Sequence, residues 1–274
     1  MNKILEYMLD EDEGFGDITS NSVIGENEEV RAYIVSKDEG ILAGINVAKE
    51  LFESKRVKVL FHLRDGNEIK KGDLLMSLYG NARDILLVER TALNLLMRMS
   101  GVATAANQYV KLVDGKVIIA ATRKTQPAIG KFDKLALKIG GADTHRFSLD
   151  DMVLIKDNHI AVVGSPLDAL LKAQKNVSFS KKIEIEVESL EDAISCVENK
   201  ADIVMLDNMD ALKVSEVIKE LENRNIRQNS LIEISGGINE ENILDYVDLG
   251  VDIISIGGLT HSSRSLDFSL KIKN

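Results

Sequence analysis

The chain has 274 residues, with 34 Lys and Arg against 44 Asp and Glu for a net charge of −10, one cysteine, two prolines and no tryptophan. A hydrophobic content of 45% beside 28% charge excludes a disordered or collagen-like chain, and the length supports one large α/β domain or a barrel with a smaller domain. The acidic balance argues against general nucleic-acid binding, and the single Cys196 excludes a disulfide framework and a cysteine-rich metal site.

No apolar run has the length of a membrane span, and the acidic stretch Asp10–Glu13 is unlike a signal peptide, so the reading is a cytoplasmic enzyme. Up to about residue 80, short apolar runs at Ala32–Val35, Val57–Leu63 and Leu74–Leu78 alternate with turn signals at Asp65–Asn67 and Lys71–Asp73. That rhythm predicts a small, mostly antiparallel sheet with a helix near 44–54. From Asp84 to Leu112 helix formers dominate without one clean apolar stripe, and Gly101 interrupts them, which predicts a long or broken helical connection.

The second half changes period. Apolar runs at Val117–Ala121, Met152–Ile155, Ile183–Val187, Ile203–Leu206, Leu231–Ile234 and Val251–Ile256 are separated by helical patterns at 131–139, 166–176, 190–199, 210–223 and 240–248. Strand, helix, strand at this spacing means parallel βα units, and near-continuous hydrophobic strands suit a sheet covered on both faces. A partly irregular α/β barrel is favoured over an open sheet, because polar residues recur just after each strand, where barrels place their sites.

Those strand-end residues divide into two chemistries. Arg123, Lys124, His145, Arg146 and Lys156 form a cationic set suited to carboxylates. Glu186 and Asp207 are hard oxygen ligands for Mg²⁺ beside a phosphate-rich substrate, while Ser235-Gly236-Gly237 and Gly257-Gly258 let backbone N–H groups approach a phosphate. Each has a plainer competitor: a surface pair for Arg123-Lys124, a helix start for Asp207-Asn208, and loop-orienting hydrogen bonds for His159 and His261. Glu184, Glu186 and Glu188 alternate along one strand and are expected to face the barrel interior together, opposite Ile183, Ile185 and Val187.

Ordered along the chain, Gly16-Asp17-Ile18-Thr19, Glu89–Asn94, Ser100–Thr104, Thr122–Thr125, Gly140-Gly141, His145-Arg146, Leu154–His159, Ile185–Val187, Met205–Asn208, Ser235–Ile238, Leu259–Ser262 and Asp267–Ile272 resemble quinolinate phosphoribosyltransferase over almost the whole length. The resemblance implies an N-terminal open-faced α/β sandwich (residues 1–110, completed by about 262–274) on a TIM-like α/β barrel (111–261) that carries the site. It implies a pentosyltransferase of NAD biosynthesis that converts quinolinate and phosphoribosyl pyrophosphate to nicotinate mononucleotide, pyrophosphate and CO₂ with Mg²⁺. It also implies at least a homodimer.

By motif, Arg123, Lys124, His145, Arg146 and Lys156 would hold the quinolinate carboxylates, with Arg90 joining from the neighbouring subunit. Glu186 and Asp207 would carry the Mg²⁺–pyrophosphoryl ribose; Ser235, Gly236, Gly257 and Gly258 would surround the 5-phosphate, supported by His261; and Lys124, Lys156, Glu186 and Asp207 would be the catalytic set. The chain departs from the family pattern at Gly130, where an arginine is usual, and at Ala121, where an acid is usual. Three other readings stand beside this one: a sibling phosphoribosyltransferase for another heteroaromatic acid, a Schiff-base lyase using Lys156, and a non-catalytic sensor able to dispense with Glu186 and Asp207.

Charge is unevenly placed along the chain. From Glu89 to Asp157 eleven basic residues meet seven acidic ones, a balance of +4 that leaves −14 for the rest. An acidic exterior around a cationic pocket concentrates small anions at the pocket while repelling polyanions elsewhere.

Overall fold

The computed structural model describes residues 2–273. In chain order the helices are α1 (Lys3–Glu13), α2 (Ile18–Val23), α3 (Ile45–Ser54), α4 (Ala82–Val113), α5 (Gly130–Ile139), α6 (Asp157–Val163), α7 (Pro166–Asn176), α8 (Leu190–Glu198), α9 (Ala211–Asn223), α10 (Leu244–Val247) and α11 (Gly258–His261). The strands are β1 (Glu29–Ser36), β2 (Gly40–Ile41), β3 (Lys58–Phe61), β4 (Glu68–Ile69), β5 (Leu74–Asn81), β6 (Ile118–Ala120), β7 (Val153–Ile155), β8 (Ile183–Val187), β9 (Ile203–Asp207), β10 (Leu231–Ser235), β11 (Ile253–Ser255) and β12 (Phe268–Lys273).

Two compact units result: residues up to Asn107 with Gln126–Gly141 and the stretch from Ser263 onward, and Gln108–Thr125 with Ala142–Ser262. In the first, β1 lies between β12 and β5 in an antiparallel sheet of order β12-β1-β5-β3, and β2 pairs with β4. Alternation along β1 turns Ala32 and Ile34 inward, onto a core that includes Leu51, Phe52, Leu75 and Ile85. Helices α1 and α2 were not expected. The only buried residues of α1 are Leu5 and Leu9, one turn apart, so its apolar signal is thin, while Asn2 caps it by accepting Ile4 N–H. Asp17 caps α2 through the N–H groups of Thr19 and Ser20.

The connection from residue 82 is one unbroken helix, α4, which passes straight through Gly101. Glycine is required there by packing: a Cβ would stand 2.1 Å from the Arg264 carbonyl oxygen, so the helix tolerates a poor helix former to let the chain near Arg264 approach. Residues 126–141 pack with this first unit, whereas the sequence placed all of 111–261 in the barrel. The reason is local. Asp133 on α5 is fully buried and takes Arg98 of α4 bidentately, Nε to Oδ1 at 3.0 Å and Nη2 to Oδ2 at 2.9 Å, while Phe132, Ala136 and Leu137 are buried beside it.

The second unit is a six-strand parallel sheet in the order β6-β11-β10-β9-β8-β7. An isolated parallel bridge joins Ala120 to Asp143 at the β6 edge, and the carboxyl ends of β6 and β7, the two outer strands, line one cavity, which is the curvature of an irregular α/β barrel. The helices between strands start at side-chain caps: Ser165 for α7, with Pro166 following, Ser189 for α8 and Asp210 for α9. Two helices depart from the expected pattern. α6 has no buried residue and so no apolar period to read, and the region 240–248 contributes only the short α10. None of the helices among the described residues is long and apolar enough to cross a membrane.

Candidate active site

The carboxyl ends of all six parallel strands open into one cavity of about 500 Å³. β6 leads to Arg123 and Lys124, β7 to Lys156, β8 carries Glu186 next to its last residue, β9 ends on Asp207, and β10 runs into Ser235, Gly236 and Gly237. His145 and Arg146, in the loop before β7, line the same space. A somewhat larger groove of about 570 Å³ in the first unit, against Asp12, Asn94, Met97 and Arg98, contains none of these strand-end residues.

Local chemistry holds each group in place. The Thr122 hydroxyl accepts Lys124 N–H at 3.1 Å, and the Lys124 carbonyl accepts the Thr260 hydroxyl at 2.8 Å, which ties α11 to the Arg123-Lys124 loop. Lys156 N–H is accepted by His159 Nδ1 at 2.9 Å, capping α6, so His159 orients the loop that carries Lys156. The Lys156 ammonium donates to Glu186 Oε2 at 2.5 Å. Asp207 does not start α9, since Asp210 is that cap; its Oδ2 instead accepts Asn208 Nδ2 at 2.6 Å.

Asn208 has a left-handed backbone, φ 52°, and its N–H donates to the Ser235 carbonyl at 2.9 Å. Gly236, φ 94°, lies so close that a Cβ would stand 2.2 Å from Asn208 Oδ1. Only glycine combines that conformation with that approach. Past β11, Gly257 passes within 3.1 Å (measured from where its Cβ would be) of Lys124 Cδ and 3.2 Å of His261 Nε2, and His261 Nδ1 contacts Ser262 Oγ at 2.6 Å.

Cations and carboxylates therefore face one another across a short distance. Arg146 is 9% exposed; burial lowers its pKa, with the charge of Arg123 adding to that and Glu184 opposing it. Behind it, His145 Nε2 lies 3.2 Å from Glu184 Oε2 and 3.3 Å from Glu233 Oε2, and both glutamates are fully buried. Burial opposes charging the His145 ring and the two carboxylates favour it, while the Arg146 N–H donated to Nδ1 at 2.9 Å keeps that nitrogen free of a proton. Burial also pushes the Glu184 carboxyl up.

Of the sequence-derived site residues, Arg123, Lys124, His145, Arg146, Lys156, Glu186, Asp207, Ser235 and Gly236 line the cavity together. Gly257 and His261 stand beside it through Lys124, Gly258 opens α11 next to them, and Arg90 is an exposed residue of α4 that does not line it. Glu188 is not with its neighbours: β8 ends at Val187, so the alternation that buries Glu184 and Glu186 stops before it, and Glu188 is exposed. Glu233 was missed. The visible signal was an acid in the middle of the apolar run Leu231-Ile232-Glu233-Ile234, where a buried carboxylate needs a partner.

Glu186 and Asp207 suit Mg²⁺ by donor type, hard carboxylate oxygens on adjacent parallel strands lining an anion-sized cavity. A pair rather than a cage is what Mg²⁺ accepts when water and substrate phosphates complete its shell.

Profiles of the quinolinate phosphoribosyl transferase N-terminal and C-terminal domains match residues 17–100 and 102–271. A relative from Methanothermobacter thermautotrophicus, named a probable nicotinate-nucleotide pyrophosphorylase (carboxylating), is 45% identical over 100% of this chain and 99% of its own. A Mycobacterium leprae relative named nicotinate-nucleotide pyrophosphorylase (carboxylating) is 37% identical over 96% and 94%. Among solved structures, the nicotinate-nucleotide pyrophosphorylase of Ehrlichia chaffeensis superposes with a TM-score of 0.93 at 35% identity, covering 100% of this chain and 98% of that one.

Proposed function

This chain belongs to the quinolinate phosphoribosyltransferase family, and we propose that its strand-end cavity carries out the carboxylating nicotinate-nucleotide pyrophosphorylase reaction. The chemistry joins quinolinate to phosphoribosyl pyrophosphate and yields nicotinate mononucleotide, pyrophosphate and CO₂, a pentosyl transfer that supplies NAD biosynthesis. One observation carries the assignment of residues: a dense cationic set, two hard carboxylates and a glycine-lined turn share a single cavity in a member of that family.

The pyridine nitrogen attacks the anomeric carbon through an oxocarbenium-like transition state, so the protein's task is alignment and charge, with no covalent nucleophile. Arg123, Lys124, Arg146 and Lys156, with His145 behind them, hold the substrate carboxylates. Lys156, already donating to Glu186, sits where the carboxylate-binding cations meet the pyrophosphate-facing acids, and so aligns nucleophile and leaving group. A Schiff-base amine needs a free lone pair, and this ammonium is committed to a carboxylate, which favours transfer over lyase chemistry. Ser235, Gly236, Gly257 and Gly258 receive the ribose 5-phosphate, with His261 in support.

Glu186 and Asp207 would hold Mg²⁺, which when bound offsets the charge of the departing pyrophosphate. Transfer leaves the ring nitrogen cationic, and it accepts the electron pair released as the adjacent carboxylate departs as CO₂. The residues that grip the retained carboxylate keep the product in place through this loss. Arg90 of the partner subunit completes the carboxylate site in a homodimer or larger assembly, acting in the cytoplasm; the exposure of Arg90 supports that reading.

The direct test is to incubate the protein with quinolinate, phosphoribosyl pyrophosphate and Mg²⁺ and to measure CO₂ and pyrophosphate together. Equal release of both is expected, and absence of both refutes the assignment. Turnover of nicotinate in place of quinolinate would transfer the chain to a sibling activity, the outcome against which the departures at Ala121 and Gly130 are to be judged.

A further inference from the structure

His145 is bound by the protein on both sides of its ring. Its backbone is left-handed, φ 50°, and is held there by its own N–H donating to Asp143 Oδ1 at 2.6 Å. Ring Nδ1 accepts the Arg146 backbone N–H at 2.9 Å. Ring Nε2 faces Glu184 Oε2 at 3.2 Å and Glu233 Oε2 at 3.3 Å. A nitrogen that accepts an N–H carries no proton, so the ring hydrogen is on Nε2 and is aimed at the two carboxylates.

Those carboxylates have few other partners. Glu184 and Glu233 are fully buried, and both oxygens of Glu184 and Oε1 of Glu233 lack a hydrogen bond of good geometry. Burying such groups is costly unless a donor or an opposite charge faces them; Glu184 is faced by the His145 ring and the charge of Arg146, and Glu233 by the His145 ring. A metal ion is the other candidate, since the three ligand atoms lie within 4.8 Å of one another. Ligation through Nε2 requires the proton at Nδ1, and Nδ1 is where the Arg146 N–H already points. The cluster therefore serves the protein's own geometry.

We propose that Glu184 and Glu233 are positioning residues: Glu233 by receiving the Nε2–H of His145, and Glu184 by placing its carboxyl 3.2 Å from the same nitrogen, fix the ring that anchors the Arg146 main chain, and so aim the Arg146 guanidinium at a substrate carboxylate. His145 acts through Arg146 and is not itself a carboxylate ligand, because neither ring nitrogen is left to donate to substrate. This rests on Arg146 holding a substrate carboxylate, as assigned above.

Nitrogen-15 NMR of histidine-labelled wild-type protein tests the tautomer without substrate. A His145 signal with the proton on Nε2, unchanged by added Zn²⁺, is expected; a proton on Nδ1, or a shift of Nε2 on binding Zn²⁺, overturns the proposal. Steady-state kinetics test the consequence. Glu233→Leu should raise KM for quinolinate about tenfold while leaving KM for phosphoribosyl pyrophosphate within about twofold, the size of one lost hydrogen bond to a charged group acting on one substrate only. Glu233→Gln, which keeps an acceptor oxygen, should recover most of the loss. An equal rise in both KM values, or no recovery with glutamine, overturns it. Wild-type turnover of quinolinate separates failure of this proposal from failure of the catalytic reading.

Discussion

Gly236→Ala tests the link between the phosphate-binding turn and the acidic end of the cavity. At φ 94° an alanine costs about 1–2 kcal/mol relative to glycine. Its Cβ would also stand 2.2 Å from Asn208 Oδ1 and 2.6 Å from Asn208 Cγ, an overlap that only rotation of the Asn208 side chain relieves. That rotation gives up the 2.6 Å bond from Asn208 Nδ2 to Asp207 Oδ2. A hydrogen bond to a charged group is worth about 1.5–3 kcal/mol, so the single substitution should cost about 2.5–5 kcal/mol in all. In an Asn208→Ala background the overlapping side-chain atoms are gone and only the backbone nitrogen of residue 208, 3.0 Å away, stays close, so the same glycine substitution should cost little beyond its backbone share of about 1–2 kcal/mol.

The assay is urea unfolding of the wild type, both single variants and the double variant, with kcat/KM for phosphoribosyl pyrophosphate measured in parallel. A coupling energy of about 1.5–3 kcal/mol is expected, together with a kinetic loss confined to the phosphorylated substrate. If Gly236→Ala costs the same in both backgrounds, to within about 0.5 kcal/mol, then Asn208 is not what fills the space beside Gly236 and the reasoning fails.

Three further outcomes follow from particular contacts. Asp133→Asn should destabilise the protein by about 3–5 kcal/mol by removing the fully buried anion that takes Arg98 bidentately, whereas the paired change Arg98→Met with Asp133→Leu should recover most of that, read by thermal unfolding. Cys196 is fully buried and its thiol is pushed up to about 12, chiefly by burial, so at pH 8 the thiolate is scarce and native protein should resist iodoacetamide; modification should follow only unfolding, and rapid labelling of native protein would contradict the packing of α8. Arg90→Ala and Lys156→Ala proteins, each inactive, should regain activity on mixing, because one site in a heterodimer then has both residues intact; no recovery would argue against sharing of the site between subunits.

The second half of the chain was legible because its strands are continuous apolar runs with helical patterns between them. The patterns at 166–176, 190–199 and 210–223 are helices in the structure, which caps them with Ser165, Ser189 and Asp210. The same logic failed at α1, α2 and α6, whose apolar faces are too sparse to leave a period. Gly101 was read as an interruption for the same reason: its value lies in a contact with Arg264, more than 160 residues away, which no window along α4 contains.

Composition and order alone determined the chemical inventory: an acidic chain with a basic segment, cations for carboxylates, two hard oxygen ligands, and glycines after strands. They also determined the strand rhythm that gathers those groups at one end of a parallel sheet, since period and hydrophobicity are local properties. Tertiary structure alone decided how each group is used. Whether Asp207 is a helix cap or a cavity acid depended on Asp210 taking the cap, and whether Glu188 joins Glu186 depended on where β8 stops pairing. The role of His145 depended on Glu233, which lies 88 residues away on β10 and reads in the sequence as a flaw in an apolar run. Burial and hydrogen-bond geometry are relations between distant segments, and the carboxylates that face the His145 ring come within 3.2 and 3.3 Å of it only in the folded chain.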